Sequence, residues 1–315
     1  MTYLVAAILI VLAIVVLLFL YTRKLASDAV RAVPQAGQVQ PVNGGTIHYV
    51  EMGPQDAPTI ILIHGLAGQL QHYTYAMTDL LKDDFHVIVI DRPGSGYSER
   101  AQDDLAALPE QARMVADFMN AKKLEKSVVV GHSLGGALTL ALALDYPDKV
   151  SSMALIAPLT QVQEDVPDIF KGLELRSPLM RRIVGNTIAA PMGKATADKV
   201  LTFAFAPEKP VSDFMIRAAA ILGLRPVAFV GASSDMVMLQ DAMPIQAARY
   251  GELKVPGGVL YGDGDTILNH EKHGKPMTAF GLTYEEMAGR GHMLPMTAPQ
   301  ECVDFVRRMA ALPSG

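Results

Sequence analysis

The run Val128-Val129-Val130-Gly131-His132-Ser133-Leu134-Gly135-Gly136 constrains the fold more than any other segment. Its β-branched start predicts a buried strand, and Ala137 to Leu144 predicts a helix. Between them stands a Gly-x-Ser-x-Gly turn. A strand that ends at a serine and turns at once into a helix holds that serine in a strained conformation with its hydroxyl exposed. Only glycine-sized neighbours let the strand and the helix approach closely enough. The five-residue pattern alone recurs by chance. Placed between a strand and a helix, it points to a nucleophilic serine.

The rest of the chain supplies the setting. Thr46–Glu51 reads as an edge strand after the turn Asn43-Gly44-Gly45. Thr59–His64 and His86–Asp91 are continuous apolar runs, as expected of strands buried on both faces, with a helix from Tyr73 to Leu81 between them. An amphipathic helix, Pro109–Leu124, leads to the Ser127–Gly131 strand, and Lys149–Ala157 is one strand more. From Leu159 to Tyr250 the pattern is only helical or irregular. Strands resume at Gly257–Tyr261 and Gly281–Glu286, before a last helix at Pro299–Ala311. Such alternation predicts an α/β fold, with a mostly parallel sheet and helices on both faces. The insertion of roughly ninety residues predicts a helical cap over the C-terminal strand ends, where open α/β sheets bind ligands.

From Tyr3 to Tyr21 there is no charge, proline or glycine. Roughly 19 residues at about 1.5 Å each cover a hydrocarbon core of about 30 Å. A single transmembrane helix is expected, with Tyr3 and Tyr21 at the interfaces. The rival reading is a signal peptide cut near Ala26-Ser27-Asp28, but no Lys or Arg precedes the run and it exceeds an ordinary signal core. Arg23, Lys24 and Arg31 follow the span, so the positive-inside rule places the remainder on the cytoplasmic side. The expected division is an anchor at 1–22, a linker at 23–40 broken by Pro34, Gly37 and Pro41, a core at 41–158, a cap at 159–250 and a second core part at 251–315. Net charge is −5, from 27 basic and 32 acidic residues without blocks, so no nucleic-acid partner is expected. Cys302 is the single cysteine, which excludes an internal disulfide and a cysteine-based metal site.

A serine hydroxyl needs a base within hydrogen-bond reach and a group that orients the base, following in chain order Ser, Asp/Glu, His. Gly289-Arg290-Gly291-His292-Met293 offers His292 as the base. The strand-end loop Gly262-Asp263-Gly264-Asp265 offers two carboxylates as the acid. The oxyanion needs two backbone donors. Leu134 N–H, after the nucleophile, is one; Leu66 N–H, in His64-Gly65-Leu66-Ala67-Gly68, is the other, and His64 reads as structural. No cofactor is expected: Gly193-Lys194-Ala195 lacks a phosphate loop's spacing and hydroxyl. No metal is expected either, since His270 and His273 lack a third ligand. Of the 17 methionines, six lie in the cap interval, where they read as core filling or as the lining of an adaptable acyl pocket.

Together these motifs resemble the α/β-hydrolase fold family, in its capped esterase and epoxide-hydrolase-like group. The matching residues are His64-Gly65, Asp91-Arg92-Pro93-Gly94-Ser95-Gly96-Tyr97-Ser98, Gly131 to Gly136, Gly262 to Asp265 and Gly291-His292. The resemblance favours Asp265 over Asp263 as the acid and makes the Asp91–Ser98 loop structural. Epoxide hydrolases and dehalogenases of the group carry aspartate where this chain has Ser133, so acyl-enzyme chemistry is implied. The expected activity is hydrolysis of carboxylic esters, of medium or long acyl chains or lipids, by a membrane-anchored enzyme. A carbon–carbon bond hydrolase of the ring-cleavage type is the alternative, and would need a cap arginine such as Arg217 or Arg225 facing the serine. A thioesterase or perhydrolase would use the same triad. A non-catalytic binding protein would have lost a triad residue, and none is missing.

Overall fold

The doubly buried apolar runs form the centre of one sheet. The computed structural model describes residues 1–163 and 166–313. In chain order its main elements are α1 (Thr2–Ala32), β1 (Gln38–Val42), β2 (Gly45–Met52), β3 (Thr59–Ile63), β4 (His86–Ile90), β5 (Glu99–Arg100), α2 (Leu108–Ala121), β6 (Ser127–His132), α3 (Leu134–Asp145) and β7 (Val150–Ile156). Then follow α4 (Pro178–Asn186), α5 (Ala189–Phe205), α6 (Pro226–Ala248), β8 (Gly257–Gly262), β9 (Thr283–Met287) and α7 (Pro299–Ala310), with short helical turns between. The strand order is β1-β2-β4-β3-β6-β7-β8-β9, with β5 paired to β2. Pairings among β1, β2, β4 and β5 that involve β2 are antiparallel, and those from β4 through β3 to β9 are parallel.

Period-two alternation divides the core into two layers. Ile61 and Ile63 of β3 pack on one face with Phe118 of α2 and Leu138 of α3. Ile60 and Leu62 pack on the other with Leu81 and Phe305 of α7. This is an α/β-hydrolase architecture with a mostly parallel sheet. Among the described residues, the stretch between β7 and β8 contains helices and no strand.

Three expectations need correction. Thr46–Glu51 is not at the edge: β2 lies between β4 and β1, and β1 is the outer strand. The polar QVQPV sequence hid β1, and its Pro41 is tolerated because an edge strand leaves one row of N–H groups unused. The helix expected over Tyr73–Leu81 is two turns, Gln71–Thr74 and Met77–Leu81, separated where Ala76 adopts φ −151°. The segment 23–40 is not simply a linker. Helix α1 continues past the apolar run to Ala32, because Thr22, Leu25 and Ala29 form a buried stripe at helical spacing. Thr22 Oγ1 donates to Thr187 O at 2.7 Å, and Ala29 and Val33 pack with Ala219 and Leu222. The apolar part of α1 is long enough to cross a membrane and is exposed.

Candidate active site

Ser133 stands at the junction of β6 and α3 with φ 55° and ψ −121°, a region that L residues rarely occupy. The flanking glycines explain how the turn closes. A Cβ at Gly131 would meet Gly135 O at 2.4 Å, and one at Gly135 would meet Ile63 O at 2.1 Å. The turn is pinned by Ser133 N–H to Ile156 O at 3.1 Å and by Leu159 N–H to Ser133 O at 3.0 Å.

His292 follows β9 and is buried; its Nδ1 lies 2.7 Å from Asp265 Oδ2. The other oxygen, Asp265 Oδ1, accepts from Ile267 N–H at 2.8 Å and Leu268 N–H at 2.9 Å. These backbone donors hold the carboxyl group in place, and its other oxygen orients the imidazole with Nδ1 donating to it. Nε2 is then left as the acceptor. Asp263, the other candidate acid, instead accepts from Gly289 N–H at 2.6 Å in the neighbouring loop. Ser133, Leu134, Gly65, Leu66 and His292 all line one cavity. Among the described residues, the N–H groups of Leu66 and Leu134 have no acceptor, so both are free to serve an oxyanion.

The cavity measures about 850 Å³, within the roughly 300–1,000 Å³ of small-molecule sites. Its walls are largely aliphatic, with Met192, Met215, Met236, Met243 and Met293 contributing, and no Lys or Arg among its described lining residues. Three further histidines surround the site. Burial lowers His72 to about 4 and pulls His64 and His132 well below the usual imidazole range. They therefore stay neutral near pH 7. His132 Nε2 lies 2.9 Å from His292 O, and His64 is held by Gly65 O and Arg92 N–H, a structural position. His72 lines the cavity without a hydrogen bond to its ring among the described residues.

The profile of the α/β-hydrolase fold family matches residues 58–299. The chain belongs to this family. A bacterial membrane phospholipase A is similar to the hydrolase in fold, with TM-score 0.68 and 24% identity over 98% of each chain. In sequence, the hydrolase is 36% identical over 124 residues to the dihydrolipoyllysine-residue acetyltransferase component of the acetoin cleaving system of Cupriavidus necator. That match covers 39% of this chain and 32% of the relative. It is 33% identical over 120 residues to 2-hydroxy-6-oxo-6-phenylhexa-2,4-dienoate hydrolase of Comamonas testosteroni, covering 36% of this chain and 40% of that protein. The hydrolase thus spans a third to two fifths of the length of these curated relatives.

The two cap arginines do not reach the cavity of this hydrolase. Arg217 is exposed, paired with Asp213 and bonded to Tyr75 O. Arg225 is buried against Tyr97 and Gly96 and lines a separate, smaller space. His270 and His273 also part company: His270 faces Tyr284, whereas His273 contacts Thr160 and Gln163. Sequence reasoning missed Glu208, which accepts from Gly291 N–H at 2.9 Å and from Arg290 at 2.8 Å. A cap carboxylate thereby holds the His292 loop. No local pattern could have announced it, since its partners lie over eighty positions away.

Proposed function

We propose that this protein is a membrane-anchored serine hydrolase that cleaves carboxylic esters of medium or long acyl chains, lipids included. The observation that carries this reading is the Asp265-held His292 sharing a large apolar cavity with the strained Ser133. In the proposed cycle Ser133 Oγ attacks the ester carbonyl carbon while His292 Nε2 takes its proton. The resulting oxyanion accepts from Leu66 and Leu134 N–H, each such donor being worth about 10²–10³ in rate. Collapse expels the alcohol, which takes the proton from His292. A water molecule, deprotonated by the same imidazole, then frees the acid and restores Ser133.

The acyl preference follows from the lining, which offers methylene contacts at about 0.8 kcal/mol each and, among the described residues, no Lys or Arg for a carboxylate-bearing dienone. The anchor supports lipid substrates. Ile188 and Met192 line the cavity yet are 47% and 55% exposed, and the Thr22–Thr187 bond sets the end of the apolar helix beside them. Arg23, Lys24 and Arg31 orient the catalytic part toward the cytoplasm in this reading.

A fluorophosphonate should label the intact protein and fail to label Ser133→Ala. Across p-nitrophenyl esters, kcat/KM should rise from acetate to octanoate and beyond. No labelling of the wild type would overturn the serine mechanism, and a maximum at acetate or butyrate would overturn the acyl preference alone.

A further inference from the structure

We infer that Asp235, a cap carboxylate, is a positioning residue for the oxyanion donor Leu66, acting through Arg92. This inference rests on the proposed serine mechanism. Asp235 lies on α6 and is completely buried, as is Arg92. Arg92 Nη2 stands 2.9 Å from Asp235 Oδ2, close enough to pair by charge but not aligned as a hydrogen bond. Arg100 pairs with the other oxygen, and Gln111 Nε2 reaches it at 3.3 Å.

The other side of Arg92 faces the loop after β3. Nε donates to His64 O at 3.1 Å and Nη2 to Gly65 O at 3.3 Å, while Arg92 N–H donates to His64 Nε2 at 3.0 Å. That last bond makes Nε2 an acceptor, so His64 Nδ1 carries the proton and donates to Gly65 O at 2.8 Å. Gly68 N–H adds a third donor to the same carbonyl at 3.3 Å. Gly65 C=O and Leu66 N–H belong to one peptide unit, which is planar and trans. Fixing the carbonyl oxygen in the protein interior therefore aims the N–H the opposite way, toward the cavity that Leu66 and Ser133 line.

A guanidinium buried this completely needs a counter-charge to remain in place. Asp91 leans toward other groups: its oxygens accept from Leu70 and Tyr97 N–H and face His48. The carboxylate that pairs with Arg92 comes from the cap. Docking α6 against the Arg92–Arg100 segment thus completes the support of the oxyanion loop, and the cap reaches the chemistry as well as the substrate.

Asp235→Asn keeps the shape and removes the charge. With p-nitrophenyl butyrate it should lower kcat by about 10-fold or more while KM stays within about two-fold, because an oxyanion donor acts in the transition state. Phosphonylation by a fluorophosphonate should slow in parallel. Arg100→Lys, which keeps a cation on the other oxygen of Asp235 and does not contact the oxyanion loop, should lower Tm yet leave kcat near wild type. Wild-type kcat in Asp235→Asn, or a raised KM alone, overturns the inference. If that variant does not fold, Arg92→Lys serves instead, since an ammonium lacks the fork that spans both carbonyls; unchanged kcat there also overturns it. Equal kcat losses in Arg100→Lys and Asp235→Asn would reduce the cluster to a purely structural one. An inactive and unlabelled wild type overturns the serine mechanism itself, which separates the two failures.

Discussion

Asp263 and Asp265 stand two positions apart in one loop, and what each accepts sets their roles apart. Asp265 holds His292 and is itself held by two backbone N–H groups; Asp263 accepts from Gly289 N–H at the surface. Asp265→Asn should therefore lower kcat by about 10³–10⁴, because an amide can stabilise the wrong tautomer of the imidazole and cannot balance its charge. Asp263→Asn should leave kcat within about two-fold, as surface changes usually do. Steady-state kinetics on one soluble ester compare them, and the opposite ranking would exchange their roles. The candidate acid was only half legible in the sequence: spacing offered both carboxylates, and the resemblance favoured one. Gly65 makes a sharper case, since a Cβ there would lie 2.9 Å from Ser133 Cβ. Gly65→Ala should displace either the nucleophile or the oxyanion loop, and lower kcat without lowering expression.

At the level of elements, the central strands were easiest to read, because doubly buried β-strands show as unbroken apolar runs whose ends mark the candidate catalytic loops. Helix α1 was harder. Hydrophobicity stops near Tyr21, and the expected boundary followed it, but the helix is continued by Thr22, Leu25 and Ala29 packing against the cap. One polar, one large apolar and one small residue make a faint stripe beside so strong an apolar run. Tyr97 Oη, which donates to Val33 O at 2.7 Å, adds a contact of high sequence separation that no window detects. The two parts of α1 should separate by truncation. Removing 1–21 should release a folded protein from the membrane fraction with kcat on short esters retained. Removing 1–33 exposes Ala219 and Leu222 and also loses Leu25, Ala29 and Val33; at about 1.5–3 kcal/mol for each of Leu25 and Val33, stability should fall by about 3–6 kcal/mol. Urea unfolding measures the difference, and equal midpoints for the two truncations would reject the docked segment.

For the molecule as a whole, the groups that sequence could not connect are buried or half-buried charges and imidazoles, whose partners are far apart along the chain: Asp235 with Arg92, Glu208 with Gly291, His273 with Thr160. The imidazoles make the fold sensitive to acid. Burial lowers His72 and His273 to about 4 and holds His64 and His132 well below the usual range. Above pH 6.5 these groups are neutral in the folded and unfolded chain alike, and they cost nothing. As pH falls, the unfolded chain takes up protons that the folded one refuses, so each group removes up to about 1.4 kcal/mol per pH unit until its folded pKa is reached. His48 runs the other way. Burial opposes its charge, but Asp91 outweighs burial and raises its pKa, so its contribution is present at low pH and fades as pH rises. One group against four leaves a net loss, and Tm should fall between pH 7 and pH 5. His72→Phe tests the origin of that slope, because its ring makes no hydrogen bond among the described residues and packs 5.5 Å from Phe214. The variant should flatten the loss between pH 6.5 and 4 by one proton's worth and leave the neutral-pH plateau intact. A Tm that is level from pH 7 to 5, or a His72→Phe slope as steep as the wild type, would mean that the histidine cluster is charged and hydrated within the folded chain.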